Sequence, residues 1–228
     1  MKKKLETIRR KISEAAIACG RKPESVRLVA VSKTVPTERV EKAITAGVTL
    51  LGENYIQEAI EKHDALSSYK DVEWHFIGHL QTNKAKYAVR FSDLIHSVDS
   101  VKLAREINKQ AAKLNKIQNI LIQVNIGKEA TKSGIDEETA ETVIREISTL
   151  DHIRIKGLMI IPPFYDEPEK VAPYFSALQN LSAQIDRLKI PNVSMKELSM
   201  GMSGDFETAI ENGATLVRIG TALFGERI

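Results

Sequence analysis

The chain has 228 residues, of which 43% are hydrophobic and 28% charged, a balance typical of a soluble globular protein with a sizeable core. Lys and Arg exceed Asp and Glu by 33 to 30, and this small net charge of +3, spread along the chain, does not indicate nucleic-acid binding. No apolar run approaches transmembrane length, and charges interrupt the N-terminal segment where a signal peptide would need apolar residues, so we expect a cytoplasmic protein. The single cysteine, Cys19, fits a reducing compartment, and its amphipathic context predicts a small core residue.

An amphipathic helix opens the chain, with Leu5, Ile8, Ile12 and Ala16 on one face, and we expect residues 1–20 to pack on the fold that follows. Eight short apolar or β-branched runs come next, and each predicts a strand. These runs are residues 28–33, 50–54, 74–78, 94–98, 120–126, 153–161, 197–200 and 216–220.

The segments between these runs carry helix signals. Pro36 opens a helix that stops at Gly47, Ser100 and Asp136 precede two further apolar stripes, and a later helix ends before Pro191. The strands are nearly continuous hydrophobic runs, which is typical of parallel strands covered by helices on their outer face. The pattern therefore predicts an α/β fold, a single TIM-type (β/α)8 barrel with an extra N-terminal helix, in one domain.

A doubly wound open sheet is the competing fold. It would normally use fewer strands and would offer a Gly-rich first turn, whereas the first strand here ends in Ser32-Lys33-Thr34. The barrel is therefore favoured.

Lys33 stands at the carboxyl end of the first predicted strand, the end at which barrels of this kind form their sites. A lysine against the end of a buried strand is poorly solvated, which disfavours its ammonium form and leaves an amine able to condense with a carbonyl. On position alone, the alternative is a lysine that reaches from the strand end to water.

Polar groups also gather at the ends of the other strands, as expected for a ligand site. Arg218 lies inside an apolar strand and must be paired or hydrogen-bonded, either with a ligand or in a structural ion pair within the barrel. Of two histidines on one face of the third strand, His79 is the predicted site residue and His75 a core residue. No spacing of ligands predicts a metal site.

Residues 199–204, rich in Ser and Gly, lead into a short predicted helix over 205–212, and Gly220-Thr221 follows Arg218 at the end of the last strand. TIM barrels frequently bind phosphate with the loops after strands seven and eight. A nucleophilic lysine on strand one together with such a phosphate site specifies a phosphorylated aldehyde, and pyridoxal 5′-phosphate fits that description.

Several motifs resemble the pyridoxal phosphate homeostasis protein family, in order and across nearly the whole chain. They are residues 30–34, 52–58, 74–84, 157–159, 199–205 and 217–225. The resemblance implies the fold of the N-terminal barrel of alanine racemase, known as fold type III among pyridoxal phosphate proteins.

The resemblance also implies roles for individual residues. Lys33 would carry the cofactor as a Schiff base, Asn54 would lie near its ring, and Arg218 would face the pyridine nitrogen. The phosphate contacts would come from Ser199, Ser203, Gly220 and Thr221, whereas His79 is a position at which family members differ and receives no essential role. The predicted cofactor-binding residues are Lys33, Asn54, His79, Ser199, Met200, Ser203, Arg218, Gly220 and Thr221.

The sequence thus predicts a carrier that holds pyridoxal phosphate and limits its free concentration, without dedicated turnover and with no catalytic residues. A fold type III amino-acid racemase is the alternative, although the second base of the alanine racemase pattern comes from a C-terminal β-domain that we do not expect in this chain. A Schiff-base aldolase is a third possibility, but its lysine usually sits on a later strand. We expect a monomer whose partners are pyridoxal phosphate and pyridoxal phosphate-dependent apo-enzymes, with no nucleic acid and no membrane.

Overall fold

The fold is a closed parallel barrel, seen in a computed structural model that describes residues 1–127, 129, 132–163, 165 and 167–225. Each strand pairs in parallel with the next one in the chain, and the first strand closes the barrel on the last. The predicted TIM-type barrel is therefore confirmed. Its strands are β1 (Arg27–Val31), β2 (Leu50–Glu53), β3 (Glu73–Phe76), β4 (Leu94–Val98), β5 (Gln118–Gln123), β6 (Ile153–Met159), β7 (Val193–Ser199) and β8 (Leu216–Ile219).

Helices surround this barrel and alternate with its strands. In the described part of the chain they are α1 (Lys2–Ala18), α2 (Thr37–Thr45), α3 (Ile56–Ala65), α4 (Ala85–Phe91), α5 (Val101–Lys113), α6 (Ala140–Ser148), α7 (Ala172–Arg187), α8 (Phe206–Glu211) and α9 (Thr221–Phe224). The predicted helices are present, and α3, α4 and α9 come in addition to them.

The strand bounds differ from the sequence prediction mainly at two places. Strand β7 begins at Val193, four residues before the predicted start, because its first half alternates polar and apolar residues and lacks an apolar run. Strand β5 ends at Gln123, since the chain then leaves the sheet and Val124 forms an isolated bridge with Ile135.

The hydrophobic core has two parts. The larger one lies between the barrel and its helices, and the smaller one fills part of the barrel interior. The interior cluster consists of Val29, Leu50, Leu94, Leu121, Met159 and Leu216. Much of the remaining interior is polar, which is unusual for a packed barrel core dominated by branched apolar residues.

Helix α1 packs with its predicted apolar face inward, and it contacts α8 and α9. The prediction that Cys19 is a core residue is wrong, because its side chain is exposed. The helix ends at Ala18, so the apolar stripe stops at Ala16 and Cys19 becomes the capping residue outside the packed face.

Candidate functional site

Arg218 lies on β8, and Lys33 follows the end of the neighbouring strand, β1. The pairing of β1 with β8 sets Val29 opposite Arg218, and Val29 belongs to the barrel interior. Lys33 follows Val29 by four residues, the last two of them beyond the end of β1, and continued alternation of side chains predicts the same inner face for it. Lys33 is half-buried. The N–H of Ser32, the residue before it, donates to the Gly52 carbonyl at 3.0 Å, so backbone pairing with β2 continues as far as Ser32.

A buried lysine holds the segment around Lys33 from the helix side. The Nζ of Lys62, on α3, donates to the Ser32 carbonyl at 2.5 Å, to Glu53 Oε1 at 2.8 Å and to Glu58 Oε1 at 2.7 Å. Lys62 is only 3% exposed and Glu53 is fully buried. Burial raises the pKa of Glu53, although Lys62 opposes the shift. This group, defined here as the Lys62 clamp, fixes the backbone immediately before Lys33.

The residue after Lys33 is fixed by the same clamp. Thr34 has a φ of 60°, a left-handed conformation that is strained for a β-branched residue. Its N–H donates to Glu58 Oε1 at 2.6 Å. Lys33 is therefore held by contacts to the residues on both sides of it, and the strained Thr34 marks the turn out of the barrel.

Glu53 is the last residue of β2, but its carboxylate faces the surrounding helices and not the barrel interior. Its carboxylate accepts hydrogen bonds from the Ser32 hydroxyl at 2.6 Å and from Lys62, on the outer face of the barrel. The sequence prediction also missed Lys62, and its one local signal is the spacing of four residues from Glu58 on a helix.

Asn54 and His79 lie at the rim of the barrel. Both line a cavity of about 410 Å³ next to Tyr55 and Phe76, and neither Lys33 nor Arg218 is among the described residues that line it. The Asn54 Oδ1 atom is buried and has no hydrogen-bond partner among the described residues, which marks it as an acceptor available to a ligand. The His79 side chain is 61% exposed, and its Nδ1 lies 3.7 Å from the Asp99 carboxylate.

Arg218 is buried in the barrel, and its contacts are hydrogen bonds. Its Nη1 donates to the Ser199 hydroxyl at 2.6 Å and its Nη2 to the Ile160 carbonyl at 2.9 Å. Burial lowers the pKa of Arg218 to about 10, and Asp205 opposes the shift. Both described side-chain hydrogen bonds of this guanidinium end on uncharged oxygens, so the alternative of a close structural ion pair in the barrel finds no support.

The loops after β7 and β8 meet, as the sequence predicts for a phosphate site. The Ser203 hydroxyl accepts a hydrogen bond from the Ala222 N–H at 3.5 Å, and Gly220 and Thr221 form the start of α9 beside it. Met200 is buried, and its N–H donates to the Leu216 carbonyl at 3.2 Å. The structure thus brings Ser203, Gly220 and Thr221, three of the four predicted phosphate residues, to one place.

Ser199 occupies a deeper position, below these loops. Its hydroxyl accepts from Arg218 and lies 2.9 Å from Nδ1 of His96. The other ring nitrogen of His96 lies 2.9 Å from Nδ1 of His75, whose Nε2 lies 3.5 Å from the Glu73 carboxylate. His96, in the middle of β4, therefore belongs to a line of polar side chains inside the barrel.

Together these groups fit a phosphorylated aldehyde. The inner face offers an amine at Lys33 and a fixed cation at Arg218, the rim offers the partnerless oxygen of Asn54, and the joined loops offer hydroxyl and backbone donors. In the described ranges, no group of three or more His, Cys, Asp or Glu side chains is arranged to hold a metal ion. None of the helices described is both long and apolar enough to cross a membrane.

Comparisons with known proteins agree with this geometry. The family model described as "Alanine racemase, N-terminal domain" matches residues 4–228. A pyridoxal phosphate homeostasis protein of Aquifex aeolicus (strain VF5) is 46% identical over 224 residues, covering 98% of this chain and 97% of that protein. The protein of the same name from Escherichia coli (strain K12) is 40% identical over 225 residues, covering 98% and 95%.

Solved structures extend the comparison to the fold. PipY of Synechococcus elongatus PCC7942, in a structure described as having PLP bound, has a TM-score of 0.83 and 37% identity over 94% of this chain and 100% of that chain. Alanine racemase from Corynebacterium glutamicum has a TM-score of 0.71 at 19% identity, covering 97% of this chain and 62% of that one, and this likeness concerns the fold alone. The chain therefore belongs to the family of the alanine racemase N-terminal domain, among relatives named pyridoxal phosphate homeostasis proteins.

Proposed function

We propose that this protein binds pyridoxal 5′-phosphate at the carboxyl end of its barrel and serves the homeostasis of that cofactor as a carrier without turnover. The observation that supports this most strongly is the pairing of β1, which leads into Lys33, with β8, which carries Arg218, together with the contact between the loops after β7 and β8. When bound, the cofactor supplies an aldehyde that forms a Schiff base with a primary amine, with loss of water.

Each predicted site residue has a role in this proposal. Lys33 is the covalent tether, Asn54 and His79 border the ring, and Met200 supports the loop after β7. Ser203, Gly220 and Thr221 bind the phosphate. Ser199 was expected at the phosphate, and its hydroxyl is already shared between Arg218 and His96, so we assign it to the arginine.

Arg218 gives a physical reason for a carrier without turnover. A guanidinium facing the pyridine nitrogen opposes protonation of that nitrogen, because two positive charges would then be adjacent. An unprotonated ring is a weaker electron sink, which handicaps the carbanion chemistry of amino-acid enzymes. The arginine therefore handicaps turnover, and racemisation with such a ring would need two well-placed bases that flank the substrate.

The wider features of the proposal follow from the same observations. The closed barrel and the packing of α1 on α8 and α9 support a single domain, assigned here to residues 1–228. That the domain acts as a monomer is part of the proposal. The single cysteine supports a reducing compartment, the cytoplasm. The exposure of Thr221 and the half-exposure of Lys33 leave a route by which pyridoxal phosphate-dependent apo-enzymes receive the cofactor.

Proton exchange distinguishes the carrier from the alternative, a fold type III racemase. The purified protein is loaded with pyridoxal phosphate, incubated with L-alanine and a panel of other amino acids in deuterated water, and followed by NMR. The proposal predicts the absorbance band of the bound cofactor together with no exchange of the α-proton above that of free cofactor. Sustained exchange at enzyme-like rates contradicts the carrier, and absence of the absorbance band contradicts binding.

A further inference from the structure

We propose that Ser199, His96 and His75 form a hydrogen-bond chain of fixed direction that positions the guanidinium of Arg218, with both histidines held as neutral Nε2–H tautomers. The chain runs through the barrel interior from the site to the opposite end. It deepens the proposed function, since Arg218 is the group that faces the cofactor ring there. Its direction, however, follows from the protein alone.

The direction is set at the arginine. A guanidinium has donors and no acceptor, so the Ser199 hydroxyl oxygen, 2.6 Å from Arg218 Nη1, must accept. Ser199 is fully buried, and its own proton has one acceptor among the described residues, the Nδ1 atom of His96 at 2.9 Å. Nδ1 of His96 therefore carries a lone pair.

The next two steps follow by the same reasoning. A neutral imidazole with a lone pair on Nδ1 has its proton on Nε2, so His96 donates to Nδ1 of His75 across 2.9 Å. His75 is then protonated on Nε2, which lies 3.5 Å from Oε2 of Glu73. The chain ends on a carboxylate that Arg27 also contacts at 3.1 Å, at the amino end of the barrel.

Burial keeps both rings neutral. His96 is fully buried and His75 is 1% exposed, and desolvation lowers the pKa of both, that of His96 well below its usual value. The positive charges of Arg218 and Arg27 act on His96 in the same direction, whereas the carboxylates of Glu73 and Asp93 favour the charged form of His75. A charged His96 would turn an Nδ1–H donor toward the Ser199 hydroxyl, whose own proton needs that nitrogen as its acceptor.

The reverse direction is physically worse. It would have the Ser199 oxygen accept from both Arg218 and His96, and the buried hydroxyl proton would have no acceptor among the residues described. An unsatisfied buried donor costs about 1–3 kcal/mol. His96 and Ser199 are therefore positioning residues, which act on the cofactor only through the orientation of Arg218.

The ring nitrogen that carries the proton in His75 and in His96 tests the hydrogen-bond chain in protein that holds no cofactor. Nitrogen-15 NMR of the unloaded protein at neutral pH, with His75→Gln and His96→Gln used to assign the signals, should show a protonated Nε2 and an unprotonated Nδ1 in both rings. A proton on Nδ1 of His96, or a doubly protonated His96, overturns the proposal whether or not the protein binds pyridoxal phosphate.

The positioning role is tested in the loaded protein. Ser199→Ala removes the acceptor of Arg218 and should raise the Kd for pyridoxal phosphate about tenfold, the effect of losing one hydrogen bond to a charged group. His96→Leu should weaken binding similarly, and His96→Gln, which still accepts and donates, should restore most of it. Met159→Leu is the control, since Met159 is equally buried in the interior but outside the chain.

The outcomes separate this proposal from the proposed function. If the unaltered protein does not bind pyridoxal phosphate, the proposed function fails. The nitrogen-15 NMR of the two histidines then still tests the direction of the hydrogen-bond chain. If the unaltered protein binds it and Ser199→Ala binds as tightly as Met159→Leu, the positioning role is refuted. Ser199→Ala removes a single hydroxyl, so it keeps the test decisive even if His96→Leu does not fold.

Discussion

At the scale of single residues, buried ion pairs of Lys62 with Glu53 and Glu58 hold the backbone on either side of Lys33. In the Lys62 clamp, Lys62 and the carboxylates of Glu53 and Glu58 lie between the barrel and its helices. Lys62 donates to the Ser32 carbonyl and Glu58 accepts from the Thr34 N–H, so the clamp contacts both neighbours of Lys33. Replacing a buried ion pair with apolar groups is often harmless to stability, but removing one partner leaves an uncompensated charge. The clamp is therefore better explained by the position it gives Lys33 than by the stability it adds.

Lys62→Met tests the clamp. The variant leaves Glu53 and Glu58 without their cation and should lower the free energy of unfolding by about 3 kcal/mol. It should also lower the fraction of protein that forms the covalent adduct at a given cofactor concentration. Chemical denaturation and absorbance measure the two effects. Arg10→Ala, which breaks an exposed helical pair with Glu14, should change stability by less than about 0.5 kcal/mol. Equal effects of the two substitutions would contradict the role of the clamp.

The neutral histidines predict a pH dependence of stability. Because burial lowers the pKa of His96 in the folded protein, the unfolded chain binds a proton below its ordinary pKa of about 6.5 that the folded protein does not bind. The free energy of unfolding therefore falls as the pH drops below 6.5. Between pH 6.5 and 5.5 this contribution amounts to about 1 kcal/mol.

His96→Leu isolates that contribution. The difference in free energy of unfolding between the unaltered protein and the variant should shrink by about 1 kcal/mol from pH 6.5 to pH 5.5. The raised pKa of Glu53 acts in the opposite direction at lower pH, but it is common to both proteins and cancels in the difference. A difference that stays constant over this range would show that His96 titrates normally.

At the scale of elements, α1 supports the loops that form the phosphate end of the site. It packs on α8 and α9, and Lys11 pairs with Glu207 of α8 at 2.9 Å. The Arg21 guanidinium, just beyond the helix, donates to the carbonyls of Ile210 and Ala214 at 2.9 and 2.8 Å. The N-terminal helix is therefore part of the framework that holds both loops.

Two leucine-sized positions of α1 give a matched test of this packing. Leu5 is 1% exposed and Ile17 is 62% exposed. Leu5→Ala should lower the free energy of unfolding by about 3 kcal/mol, the usual effect of truncating a buried leucine. Ile17→Ala should have little effect, because its side chain lies mostly in water. Thermal or denaturant unfolding measures both, and a small effect at Leu5 would mean that α1 is only loosely docked.

The sequence predicts the elements well where their residues form one pattern and less well elsewhere. Seven strands begin within two residues of the predicted start because parallel barrel strands form apolar runs. The first half of β7 was missed because polar residues alternate with apolar ones there. The Lys62 clamp could not be predicted, since it joins Lys62 to Ser32, 30 residues away, and a Glu–Lys pair on a helix normally indicates a solvated face.

At the scale of the whole molecule, the barrel gathers at one end residues that the chain keeps far apart. Lys33 and Arg218 come from opposite ends of the sequence, and closure of β1 on β8 sets the strand before Lys33 beside the strand that carries Arg218. The sequence could predict this closure from the strand count, together with the polar strand ends. It could not predict that Ser199 turns inward and bonds to both Arg218 and His96, because hydrogen-bond partners across a barrel depend on its register. The roles of the individual site residues stay predictions.

The proposed function depends on a covalent bond between Lys33 and pyridoxal 5′-phosphate, and the most decisive experiment identifies the lysine that forms it. The protein is loaded with pyridoxal 5′-phosphate, reduced with borohydride, digested and analysed by mass spectrometry, with Lys33→Ala treated in parallel. We expect a reduced pyridoxal phosphate adduct on the peptide that contains Lys33, and no adduct on Lys33→Ala. An adduct that persists in Lys33→Ala, or one that maps to another lysine in the unaltered protein, would contradict this expectation.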